Sequence, residues 1–414
     1  MNEAARAALC LAVDAMHAAQ RDFLAELVKF PSGNPPGDCA PAAARAAALL
    51  RGLGFAVETH PVPDAIVRAS GMVSVTNLVV RHRFGPGPVV GLNAHGDVVP
   101  PGAGWTVDPY GAAVIDGVMY GRGVAVSKSD FATYAFALKA LMETGVARAG
   151  AVELHFTYDE EAGGALGPGF LLEHGIVRPD VVIGAGFAYN IVVAHNGCLH
   201  LEVSVRGRSA HAAQPESGVD ALEAATALLA SLYQLRDGLA SLRSAVPGIA
   251  HPTLVVGLIE GGINTNVVPD RVALRLDRRI IPEEDPDAVE RALVRHIEQV
   301  CGALPGIAVS VRRLILAVPF KPQAAQARLV GPLQRNARAV LGEDIPANGV
   351  PLYTDARHYA GAGIPTVLYG AGPRSLLEAN GHRADEKLVL EDLRKATQIV
   401  ALTVADLMSG EGRG

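Results

Sequence analysis

The chain has 414 residues, 50% of them hydrophobic, and a formal net charge of −6. That length exceeds one ordinary core and points to two or three domains, while the apolar fraction excludes wholesale disorder. Acidic and basic residues are interspersed, so the charge pattern gives no reason to expect nucleic acid or an anionic membrane as partner.

The first twenty residues carry Glu3 and Asp14 and lack a basic start, a poor export signal and a good opening for an amphipathic helix. That helix is expected over about residues 4–30, ended by the turn-rich PSGNPPGD at 31–38, with a second helix around 40–54. Strand-type runs follow in FAVETHPV, MVSVTNLVVRH and PVVGLNAHGDVVP. A helix fits 129–145, and AVELHFTYDE and DVVIGAG read as further strands. Strands alternating with helices predict a helix-flanked α/β sheet, much of it parallel. No run of about 20 apolar residues occurs, so a membrane span is not expected and a cytoplasmic protein is.

The middle of the chain has another rhythm. CLHLEVSVRGR, TLVVGLIEGG, RVALRLDRRI and IAVSVRRLIL read as strands, with helices at about 217–236 and 286–303. The order βαββαβ is that of a ferredoxin-like unit of ~115 residues. After it the α/β pattern returns, with IPTVLYGAG as a strand and 384–408 as the last helix. The expected fold class is therefore α/β, a helix-flanked mixed-sheet catalytic domain (1–197 and 316–414) interrupted by a ferredoxin-like α+β lid or dimerisation domain (198–315). Cys10, Cys39, Cys198 and Cys301 form no CxxC pair, which suggests separate thiols rather than a thiolate metal site or a disulfide framework.

Four clusters carry chemistry. His95 and Asp97 close an apolar strand, where open α/β sheets place their sites, and a carboxylate two residues from an imidazole suits a metal ligand with an orienting acid. Asp159, Glu160 and Glu161 follow a buried-type strand, where adjacent acids are costly unless positive charge faces them. One such carboxylate can bind a metal while its neighbour acts as general base. His382 lies in a glycine-flanked loop before the last helix, and His211 in the inserted segment. Singly, each reads as well as a structural histidine or a surface acidic loop; their combination points to a site.

In chain order, NAHGDVVP, GWTVDPYGAAVIDGVMYGRG, FTYDEEAGG, GRSAHAAQPESGVDA, INTNVVPDRVALRLDRR, TDAR and GHRADE resemble the dinuclear-zinc aminoacylase/carboxypeptidase-G/succinyl-diaminopimelate desuccinylase family over nearly the full length. The resemblance implies that His95 binds one metal and Asp97 orients it. It implies that Glu160 is the general base and that Glu161 and His382 bind a second metal. His211 and Asn264 or Asn266 would polarise the substrate or hold its carboxylate, and Arg279 would contact a substrate carboxylate.

Two positions depart from the family pattern. Val126 stands in GRGVAVSKS where the bridging aspartate belongs, and Ala185 follows DVVIG where a Glu or Asp ligand belongs. Asp130, Asp159, Asn190 and His195 are candidate substitutes. Catalytic sites normally keep about three protein ligands plus water, so one divalent transition metal per chain (Mn, Zn or Co) is expected, single or labile. The expected reaction is hydrolysis of a C–N bond in a small-molecule carboxylate. An ortho-amino benzoate that completes the coordination, 5-nitroanthranilate, is the specific expectation. An N-acyl amino acid or dipeptide is the alternative, and a catalytically inactive binding relative is a third. A homodimer or higher homo-oligomer through the inserted domain is expected.

Overall fold

The computed structural model describes residues 1–409. The chain forms two compact units: Met1–Val193, Pro322–Asn348 and the chain from Thr354 onward make the first, and Ala194–Lys321 with Gly349–Tyr353 make the second.

The first unit is built on an eight-stranded mixed sheet. Its order is Val57–Pro61, Thr76–Arg83, Ala151–Thr157, Val89–His95, Val181–Gly184, Thr366–Leu368, Ile191–His195, Ala347–Val350. The chain passes between units within the last two of these strands. Val89–His95 runs parallel to both Ala151–Thr157 and Val181–Gly184. These strands are apolar almost throughout because both of their faces are covered.

The covering helices follow from the sequence. Glu3–Val28 starts where the Asn2 side chain accepts the Ala5 N–H, and it buries Leu9, Val13, Phe23, Leu24 and Leu27. Lys128–Thr144 is apolar around most of its circumference and accordingly buried, and it stops at Gly145, whose φ of 60° is a left-handed cap. Glu3–Val28, Lys128–Thr144 and Leu390–Ser409 contribute to one core with the sheet. Among the described residues no helix is long and apolar enough to cross a membrane.

Several elements differ from expectation. The last helix begins only at Leu390, because Lys387–Val389 pairs as a strand with Val118–Tyr120, itself paired with Ala113–Ile115. The helix Ala327–Leu341 was hidden by Gly331-Pro332, which reads as a breaker. The helix runs through it because burial of Leu329, Leu333 and Ala337 outweighs one lost backbone bond.

The second unit has the expected βαββαβ order. Gly197–Arg206, Ala221–Leu239, Thr253–Gly261, Arg271–Ile280, Pro286–Gly302 and Ala308–Ala317 follow one another. The antiparallel sheet is ordered Thr253–Gly261, Arg271–Ile280, Gly197–Arg206, Ala308–Ala317. Asp220 and Asp285 cap the two helices, accepting backbone N–H groups of Leu222 and Glu223, and of Ala288. Along Gly197–Arg206 the odd positions Leu199, Leu201, Val203 and Val205 lie in the core, which leaves the even positions on the other sheet face.

Candidate active site

The site lies at the carboxyl ends of Val89–His95 and Ala151–Thr157, where an open parallel sheet leaves a crevice. Asp97 is its hub. Fully buried, it accepts hydrogen bonds from the Asn34 side chain (3.0 Å) and from the backbone N–H groups of Glu160 (3.2 Å) and Glu161 (3.1 Å). One carboxylate thereby fixes the turn that carries the two glutamates. His95 Nδ1 faces Asp97, 3.0 Å from its carbonyl oxygen and 3.4 Å from Oδ1, which turns Nε2 toward Glu160. That Nε2 lies 3.9 Å from Glu160 Oε2, and His382 Nε2 lies 3.2 Å from Glu161 Oε1. His95, Asp97, Glu160, Glu161 and His382 thus meet in one place, with the outer donors in two pairs.

Two further acids belong here. Asp355 is buried; its Oδ2 accepts from Thr157 Oγ1 at 3.3 Å and its Oδ1 has no hydrogen-bond partner. Asp159 is also buried with an unpartnered Oδ1. Gly164 explains the double glycine after the acidic run: a Cβ there would stand 2.2 Å from Asp355 Oδ1, and its φ of +68° is left-handed.

The buried acids and imidazoles of the site are strongly shifted. Burial pushes Asp355 up to about 6, partly offset by His95. Burial also raises Asp159, with Asp355 and Asp97 adding repulsion, and it raises Glu160 despite the attraction of His95. Burial opposes a charged His95, but Glu160, Asp97 and Glu161 overcome it, so its imidazole titrates well above the ordinary range. The hydrogen bond to Glu161 raises His382. Crowded carboxylates, two orphaned carboxylate oxygens and imidazole nitrogens aimed among them form a donor set that fits a hard-to-borderline divalent ion.

The comparisons with known proteins agree. Residues 91–406 match the family model described as peptidase family M20/M25/M40. The chain belongs to that family. It is with it a metal-dependent hydrolase of C–N bonds. Among curated M20 relatives, succinyl-diaminopimelate desuccinylase of Gluconacetobacter diazotrophicus is 28% identical over 92% of this chain and 95% of its own length. Acetylornithine deacetylase of Pectobacterium carotovorum is 27% identical over 85% and 87%. A metallo-carboxypeptidase of the family from Sulfolobus solfataricus shares the fold, with a TM-score of 0.77 at 17% identity over 93% of this chain and 98% of that one.

Against the M20 pattern, the two apolar positions keep their backbone roles. Val126 N–H and Ala125 N–H both donate to Glu386 Oε1, at 3.1 and 3.0 Å. Glu386 in turn pairs with buried Arg122 at 2.6 Å, and Arg122 reaches the carbonyls of Pro101 and Arg383. The GRG loop and the His382 loop are therefore one pinned assembly. Ala185 N–H donates to the Asn93 carbonyl at 2.7 Å.

Of the candidate substitute ligands, Asp130 spends its carboxylate on the backbone, accepting from Ala371 N–H at 2.7 Å and Gly186 N–H at 3.2 Å. His195 belongs to the second unit, where its Nδ1 lies 2.9 Å from the Asn196 carbonyl. Asn190 Oδ1 is buried without a hydrogen-bond partner, like Asp159 Oδ1. Asp355, Glu386 and Arg122 were not singled out from sequence; the motifs TDAR, GHRADE and GRG held them, but nothing in their spacing shows that they converge.

His211, Asn264, Asn266 and Arg279 lie in the second unit. His211 pairs with Val267 in an isolated bridge, and Ala212 N–H donates to the Asn266 carbonyl at 3.0 Å, so His211 and the asparagine loop are tied together. Asn264 Oδ1 caps its own turn by accepting from Thr265 N–H at 2.8 Å. Arg279 is held by Asp277 at 3.0 Å and lies over the Tyr353 ring.

Proposed function

We propose that the chain hydrolyses a C–N bond with Glu160 as general base, at a centre that holds one exchangeable divalent ion on His95, Glu161 and His382. The observation that carries this reading is the survival of both imidazole–glutamate pairs beside apolar side chains at the two remaining ligand positions. Such an ion supplies positive charge that acidifies water and stabilises charge developing on the substrate. Asp97 holds His95 in one orientation and aims Glu160 through its backbone. Glu160, whose carboxyl is raised by burial, is assigned to take a proton from water and return it to the departing nitrogen. His211 is assigned to negative charge developing on the substrate, and Asn264, Asn266 and Arg279 to its carboxylate.

The specific substrate proposed is 5-nitroanthranilate, converted with water to 5-nitrosalicylate and ammonia. Water oxygen bonds to the ring carbon that bears the amine, the para nitro group takes up the electron pair, and the C–N bond breaks as nitrogen leaves with the proton. A nitro-activated ring stores the added charge itself, so two ions polarising a carbonyl are not needed. The amine and carboxylate of the substrate can fill coordination positions that Val126 and Ala185 do not. The desuccinylase and deacetylase relatives favour a second reading, hydrolysis of an N-acyl amino acid or dipeptide.

Manganese-, zinc- and cobalt-loaded enzyme is to be assayed for ammonia release from 5-nitroanthranilate and for hydrolysis of N-acyl amino acids. Nitrosalicylate formation supports the first reading. Acyl cleavage with intact nitroanthranilate supports the second, and no turnover of either class removes both. The second unit is further proposed as lid and dimerisation domain, self-associating through an edge strand. Val255, Leu258 and Ile259 are exposed on the outer strand Thr253–Gly261. A monomer in analytical ultracentrifugation at micromolar concentration would count against that role.

A further inference from the structure

The tightest grouping of metal-type donors among the described residues is not at the site above. It lies in the second unit, where one ligand atom each of Cys198, His200 and Asp277 fall within 4.8 Å of one another. Sheet register builds the group. Cys198 and His200 are alternate residues on one face of Gly197–Arg206, and Asp277 stands opposite His200 on the paired strand Arg271–Ile280. None of the three positions depends on a loop.

We propose that Cys198, His200 and Asp277, all in the second unit, bind a thiophilic divalent ion of the zinc type. The donor set is mixed: one sulfur, one imidazole nitrogen and one carboxylate oxygen, with water free to complete a tetrahedron. Ligands at zinc–nitrogen and zinc–oxygen lengths of about 2.0–2.1 Å subtend roughly 3.3 Å at the tetrahedral angle. His200 Nε2 and Asp277 Oδ2 are 3.2 Å apart, so they could share an ion with little movement. At that separation Nε2 is nonetheless buried without a well-aligned hydrogen bond, the state of a donor atom waiting for a partner.

The surroundings suit the ion. Arg279 grips Asp277, Nε to Oδ1 and Nη2 to Oδ2 both at 3.0 Å, and so orients the carboxylate from outside the ligand shell. Cys198 is fully buried, while the His200 and Asp277 side chains are 33% and 30% exposed, so the group lies near the surface of the unit. Ile315 and Ala317 flank the pair on the neighbouring strand and keep that side apolar.

The test uses metal-free full-length protein titrated with Co(II). The expected result is a sulfur-to-cobalt charge-transfer band in the near ultraviolet that saturates by two equivalents, and by one where the first-unit ligands are replaced. The band should persist when Glu161→Gln and His382→Ala are combined, and zinc should bleach it. Cys198→Ser should abolish it, and His200→Gln should weaken cobalt binding by about tenfold or more. Because Cys198 is buried, His200→Gln provides the arm least liable to disturb packing. No band in the unmodified protein, the same band in Cys198→Ser, or unchanged affinity in His200→Gln each overturns the proposal.

Discussion

Replacing Glu386 by alanine should be among the most damaging single changes in the first unit. Glu386 and Arg122 are both about 1% exposed and 2.6 Å apart, so the substitution strands a guanidinium in the interior. Removing one partner of such a pair costs about 3–5 kcal/mol. Arg122 keeps hydrogen bonds to the Pro101 and Arg383 carbonyls and lies over the Trp105 ring, which pulls the figure down. The N–H groups of Ala125 and Val126 lose their acceptor, which pushes it up by about 1–3 kcal/mol for each one left dry. A net loss of about 4 kcal/mol follows. Trp105 is the chain's one tryptophan and stacks on Arg122, so its fluorescence in urea follows the unfolding of this unit directly. Arg122→Met combined with Glu386→Leu should recover only the part due to the stranded guanidinium, since the Ala125 and Val126 N–H groups still lack their acceptor. A loss below about 1 kcal/mol in Glu386→Ala, against the 3–5 kcal/mol expected of a broken buried pair, would refute the reasoning.

Three further outcomes are expected. Glu160→Gln should lower kcat by about 10²–10⁴ while leaving metal content unchanged, and activity within a few-fold of the parent would remove Glu160 as the base. Val126→Asp restores a carboxylate beside His95 and Ser127, and should raise the tightly held metal of the first unit from one ion to two by elemental analysis on a Cys198→Ser background; a count that stays at one refutes the reading of that position. Burial, then Arg357, depresses the His358 imidazole to about 4, so its neutral form stabilises the fold fully above about pH 6.5 and progressively less as pH falls toward 4. Relative to His358→Gln, which keeps a donor for the Gly163 carbonyl, the parent should lose about 2 kcal/mol more between pH 7 and pH 5, and equal losses would exclude a buried neutral imidazole.

The parts that sequence made legible are those in which periodicity and chemistry coincide. The strand ending in His95 is apolar up to the residue that carries function, so its place at the sheet end could be read directly. The alternation in CLHLEVSVRGR likewise announced a sheet covered on one face. Long-range pairing could not be read. Glu386 lies more than 250 residues from Arg122 and sits in a stretch that reads as the start of a helix, and only the fold makes the two a buried pair. Asp355 looks like a helix-capping residue before ARHYAG, and its approach to the site depends on Gly164 having no side chain. The scattered cysteines gave no hint that Cys198 faces His200 and Asp277, because that proximity is set by strand register across about 80 residues.

The loss of carboxylates at 126 and 185 also has a charge consequence. The family resemblance places an acid at each position, and two acids carry the charge of one divalent ion. On the proposed reading, removing both the acids and one ion leaves the local charge unchanged. Buried charge is tolerated only when it is paired, so the proposed single ion suits a site that lacks these two carboxylates. Asp97 is held by the N–H groups of Glu160 and Glu161, and Glu386 by those of Ala125 and Val126 and by Arg122. On the proposed reading of an exchangeable ion, these hydrogen bonds keep Asp97 and Glu386 in place while the ion leaves and returns.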